Sequence, residues 1–122
     1  MVVVTPEVFD AMVAAALDEI PDDLADAMEN VVVIVEEHAA REQTANARGT
    51  LLGLYEGVPL TRRGPLSYSA VAPDRITIFS GPLCAMARDE VDLAGRVRVT
   101  VLHEVGHYFG MSDERLREMG WA

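Results

Sequence analysis

Near the N-terminus, apolar residues recur at intervals of three and four: Phe9, Met12, Val13, Ala16, Leu17 and Ile20 fall on one stripe. That spacing predicts a helix with a single buried face. Thr5-Pro6 supplies an N-cap and a first-turn proline, and Pro21 stops the run. Asp22 to Met28 reads as one more short helix. The period then changes. Val31 to Val35 is an unbroken β-favouring run, as expected of a strand covered on both faces. Leu51 to Glu56, bracketed by Gly49 and Gly57, predicts a second strand. Arg75 to Ser80 alternates like a third, ended by Gly81-Pro82. His38 to Arg48 is polar and reads as a surface loop. Gly57 to Pro73 holds Pro59, Gly64, Pro65 and Pro73 and reads as a long irregular connection.

The remainder is helical. Asp89 is suited to N-cap a long helix, with acidic Glu90 and Asp92 in its first turn. On a helical projection Arg96, Thr100, His103 and His107 share a narrow sector, while Ala94, Val97, Val101, Val105 and Tyr108 gather on the opposite side. Such a helix buries one face against a sheet and opens its histidine face to a cleft. Arg98 breaks the pattern by falling on the apolar side. A last short helix, Asp113 to Met119, leads into Gly120-Trp121. The expected architecture is α/β: a small twisted mixed sheet of three to four strands, packed on the N-terminal helix and the long C-terminal one.

Size and charge narrow the function classes. A chain of 122 residues is expected to form one domain over residues 1–122, burying roughly two thirds of its unfolded surface. Half of it is apolar, yet no run approaches the length of a membrane span. The N-terminal MVVVTPEVFD lacks the positive region of a secretory signal. Cys84 is the sole cysteine, so no internal disulfide forms, and a cytoplasmic location is expected. A formal net charge of −10 argues against nucleic acid and anionic membrane surfaces as partners. A monomer or a homodimer is expected.

The chemistry concentrates in His103-Glu104-Val105-Gly106-His107-Tyr108-Phe109-Gly110-Met111-Ser112-Asp113, an HExxHxxGxxD pattern. On a helix, residues four apart sit about 40° around the axis and about 6 Å along it. Both imidazoles thus project from one face and can bind a single metal ion, with Glu104 beside them as base for the attacking water. Gly110 is suited to end the helix, so that the chain turns back and offers Asp113 as third ligand. Glu114 and Ser112 compete with Asp113 for that place, and Asp113 can instead N-cap the last helix. Two histidines, a carboxylate and an open fourth position make the layout of a catalytic Zn²⁺ site. His38 lies outside any ligand spacing and reads as a solvated loop residue. Tyr108 and Phe109 read as core, Cys84 as buried, and Tyr55 and Tyr68 as minor candidates for an oxyanion donor.

The motif resembles that of zincin metallopeptidases whose third ligand is aspartate. Nearly the whole chain is similar to a family of small bacterial minimal zincins, through Leu51–Gly64, Pro73–Leu83, Thr100–Trp121 and the acidic, Ala-rich N-terminal helix. The resemblance implies a small α/β metallopeptidase-like domain hydrolysing peptide bonds of a peptide or protein substrate. It also implies that an aromatic near the C-terminus, here Trp121, supports the site in place of a methionine turn. The rival function is a zinc-binding or regulatory module without turnover, for which the intact Glu104 has no use. Because prolines flank Arg75 to Ser80, that segment is expected at the sheet edge, with Ile76, Thr77, Ile78 and Phe79 forming the upper rim of the cleft.

Overall fold

The computed structural model describes residues 1–45, 49–58 and 73–122. The N-terminal helix α1 (Pro6–Leu17) begins as its sequence predicts, with the Thr5 hydroxyl accepting from Val8 N–H at 3.2 Å. It buries Phe9, Val13 and Ala16. A short helix α2 (Asp22–Ala27) leads to strand β1 (Val31–Glu36). The expected surface loop after it contains a single exposed turn, α3 (Arg41–Thr44), held by Ala40 N–H donating to Gln43 Oε1 at 2.8 Å. Strands β2 (Gly53–Glu56) and β3 (Asp74–Phe79) follow. Most of the predicted connection between them, including Tyr68, lies outside the described residues.

The sheet is mixed, as expected, with the order β1-β3-β2. Strand β3 runs parallel to β1, pairing Val33 with Ile76, and antiparallel to β2, pairing Tyr55 with Ile76. This overturns the edge assignment of Arg75 to Ser80. Ile76, Thr77, Ile78 and Phe79 are all fully buried in the central strand and form no rim. The prolines misled because they lie outside the ladder: Pro73 precedes β3, and Pro82 sits in the first turn of α4 (Ser80–Met86), where a missing N–H costs nothing. Conversely β1, expected to be covered on both faces, borders the sheet among the described residues, with Val32 40% exposed.

Helix α5 (Glu90–Tyr108) packs between α1 on one side and β2 and β3 on the other. The Asp89 carboxylate caps it, accepting from Asp92 N–H at 2.8 Å. The Asp92 carboxylate accepts from Arg88 N–H and Arg96 Nε, which hold its pKa down to about 2. Leu93, Val97, Val101 and Val105 are fully buried in one core with Ile76 and Ile78. Arg98 is accommodated at the rim of this seam, where its Nε meets Glu19 Oε1 at 2.7 Å with both side chains nearly half exposed. Such a pair contributes less than about 1 kcal/mol.

Tyr108 closes the end of α5, as the core reading expected. Its buried hydroxyl accepts from Glu29 N–H at 2.8 Å and donates to Glu29 C=O at 3.0 Å, tying the metal-motif helix to the start of β1. Tyr108→Phe removes one partner of each bond and is expected to destabilise by about 1–2 kcal/mol. A shift of the denaturation midpoint at unchanged slope is the measurement.

Candidate metal centre

Three parts of the fold meet at one end of α5. The helix itself supplies His103, Glu104 and His107, with one ligand atom of each within 4.8 Å of the others. The two imidazoles, one turn apart, direct their Nε2 atoms at each other over 2.9 Å. Tetrahedral zinc with bonds of about 2.0–2.1 Å separates two nitrogens by roughly 3.3 Å. The pair therefore fits such an ion after a small ring adjustment.

Strand β2 is the second part. Its Gly53 passes so close to α5 that a Cβ there would lie 2.8 Å from Thr100 Cγ2 and 3.1 Å from Glu104 Cγ. Only a glycine leaves room for the carboxylate side chain between helix and strand. Phe79 N–H donates to Leu52 C=O, so alternation in the antiparallel ladder turns the main-chain groups of Gly53 and Tyr55 away from β3. There the Tyr55 N–H donates to the Glu104 carboxylate. Burial pushes the Glu104 carboxyl above its ordinary pKa, while His103 and the Tyr55 amide act against that rise. The Tyr55 hydroxyl, an expected oxyanion candidate, donates to Asp74 Oδ2 at 2.7 Å. Gly53→Ala is expected to displace Glu104. The overpacking is expected to cost about 1–3 kcal/mol of stability, and a lowered denaturation midpoint is the outcome to measure.

The third part is the turn after α5 and helix α6 (Asp113–Met119). Gly110 adopts φ 76°, and the chain leaves α5 with Gly110 N–H bonded to His107 C=O and Met111 N–H to Gly106 C=O, a Schellman ending. Ser112 N-caps α6, its hydroxyl accepting from Arg115 N–H at 3.1 Å. Asp113 is therefore not the cap. It stands exposed at the first position of α6, outside the His103–Glu104–His107 group, as does Glu114. Its carboxylate is near enough to His107 to raise that ring's pKa, but burial and His103 prevail and the net shift is downward. A depressed pKa keeps the imidazole neutral, as a metal ligand must be.

Residues 28–121 match the model of the zincin-like metallopeptidase family. The chain belongs to that family. Its structure is similar to that of a conserved hypothetical protein from Thermus thermophilus, with a TM-score of 0.54 and 24% identity over 94% of this chain and 99% of that one. At this identity the likeness shows the fold alone. No curated protein significantly matches the chain.

Some contributions to this zincin-like site were not read from the sequence. The Tyr55 amide could not have been found, since every residue but proline carries one. Gly53 and Gly106 carried a weak signal as glycines inside a strand and a helix, where they usually mark close approach. A Cβ on Gly106 would collide with Leu116 of α6. His38 is exposed beside Glu37 and outside the group. Cys84 is half-buried.

Proposed function

We propose that the protein is a zinc-dependent peptidase in which His103 and His107 bind the metal, Asp113 completes the protein ligands and Glu104 is the general base. The convergence of the two Nε2 atoms beside a buried carboxylate carries this reading. Bound zinc supplies a positive centre that lowers the pKa of water to about 7 and polarises the scissile carbonyl. Glu104 takes the proton of the attacking water and delivers it to the leaving amine. The Tyr55 amide holds Glu104 against β2. An extended peptide reaches the site along β2, the strand that borders the sheet on the α5 side among the described residues.

The position of Asp113 outside the histidine group favours one other reading, a zinc-binding module without turnover. Incubation of the zinc-loaded protein with casein and a peptide library separates the two. Cleavage abolished by EDTA and restored by zinc is the expected result. Stoichiometric zinc with no cleavage of any substrate favours the module.

A further inference from the structure

Strand β1 presents one side of its main chain to β3 and the other to no described strand. Asp74 N–H donates to Asn30 C=O at 2.8 Å, and the Ser80 hydroxyl reaches Glu36 C=O. In a parallel ladder alternate residues point the same way, so Asn30, Val32, Ile34 and Glu36 turn their main-chain groups to β3. Val31, Val33 and Val35 turn theirs outward, and no described residue bonds to them. The extended N-terminal segment bonds to α4 instead, Val2 N–H donating to Cys84 C=O at 2.9 Å. Proteins usually blunt such an edge with a charge, a proline or a bulge. Val31–Val35 is four valines and an isoleucine, and its register with β3 is unbroken. The edge also has a defined start: Asn30 takes φ 53°, and Glu29 before it is held by the Tyr108 hydroxyl.

We propose that β1 pairs antiparallel with β1 of a second copy of this chain, about a two-fold axis through Val33. The outward residues are symmetric about that position. The axis sets Val33 opposite Val33 and Val31 opposite Val35, and each such pair exchanges two N–H···O=C bonds. Every outward group of the edge is then satisfied. Val31, Val33 and Val35 pack their side chains on the core, so Val32 and Ile34 lie on the other face. There Val32, 40% exposed, meets Ile34 of the second copy in an apolar cross-strand pair. Asn30 comes opposite Glu36, an amide donor against a carboxylate. A foreign strand would find the same main-chain groups but not this self-matching set of side chains, so a second copy is the occupant. The contact is isologous and closes on itself. It leaves β2, at the opposite edge beside the metal centre, open to a peptide.

Light scattering combined with amide hydrogen exchange tests the pairing. About 100 μM chain in about 0.15 M salt limits the repulsion between copies of formal charge −10. The mass is expected to be twice 13.3 kDa. The Val31, Val33 and Val35 amides are expected to exchange about tenfold or more slowly than in dilute protein, while Val32 and Ile34, bonded to β3 in both states, change less. A protein still monomeric at about 1 mM overturns the proposal. So does a dimer in which the three outward amides exchange as in the monomer. Val33→Pro removes an N–H that β3 does not use and is expected to weaken association about tenfold or more. Val32→Lys sets a charge against Ile34 of the other copy and is expected to do the same, which keeps the test decisive should the proline variant not fold. A folded variant of either kind that dimerises like the wild type overturns the proposal.

Discussion

Purified protein loaded with zinc is expected to retain one ion per chain, and His103→Ala or His107→Ala to lose tight binding. Structural zinc sites in small peptides bind with about 10–16 kcal/mol through four protein ligands. One ligand thus corresponds to roughly 3 kcal/mol, or about 100-fold in affinity. The loss falls on a site with few protein ligands, because only His103, Glu104 and His107 converge among the described residues. Metal analysis after desalting measures this, and unchanged stoichiometry in the double variant would sink the proposed site. Asp113→Asn is expected to weaken retention less, since its carboxylate must first move to the metal from an exposed position. Equal retention would transfer the third-ligand role to Glu114.

Glu104→Gln is expected to part binding from turnover. The amide keeps the shape of a side chain wedged beside Gly53 but cannot take a proton from water. Zinc content should hold while hydrolysis falls by about 10²-fold or more. Full activity in this variant would mean that another group is the base. The same substitution has a signature in metal-free protein. Because burial raises the folded-state pKa of Glu104 above its ordinary 4.5, ionisation is resisted by the fold. Its carboxylate therefore costs stability as pH rises from that value through the raised one. Metal-free Glu104→Gln is expected to be at least as stable as wild type at neutral pH and to lack this part of the pH dependence. Thermal melts across mildly acidic pH read it directly.

The fold was legible wherever a local period was strong. The stripe from Phe9 became α1, which buries Phe9, Val13 and Ala16 and ends at Leu17, with Ile20 buried in the turn that follows. The Asp89 cap and the apolar side of α5 stand as read. Helix α6 has its predicted bounds, and Ser112 takes the cap that Asp113 was weighed for. Strand existence was equally plain, while strand order was not. Flanking prolines placed Arg75 to Ser80 at an edge, yet it is the centre of the sheet. Unbroken hydrophobicity placed Val31 to Val35 inside, yet among the described residues it lies at the edge, with Val32 40% exposed.

By itself the sequence determined the helix-borne part of the site. His103, Glu104 and His107 are four residues or fewer apart on one helix, and helical geometry alone brings them together. Everything that surrounds them was decided by tertiary structure. The Tyr55 amide reaches Glu104 because β2 lies against α5 with its outer main-chain groups turned that way. The Trp121 carbonyl reaches His103 across 18 residues because α6 folds back at Gly110 and Leu116 seats on Gly106. Asp113, correctly spaced in sequence, stands outside the group because its position depends on the path of a turn rather than on a helical period. Local spacing fixes what one element can present, whereas long-range packing fixes which backbone groups meet it, and backbone groups leave no trace in residue type.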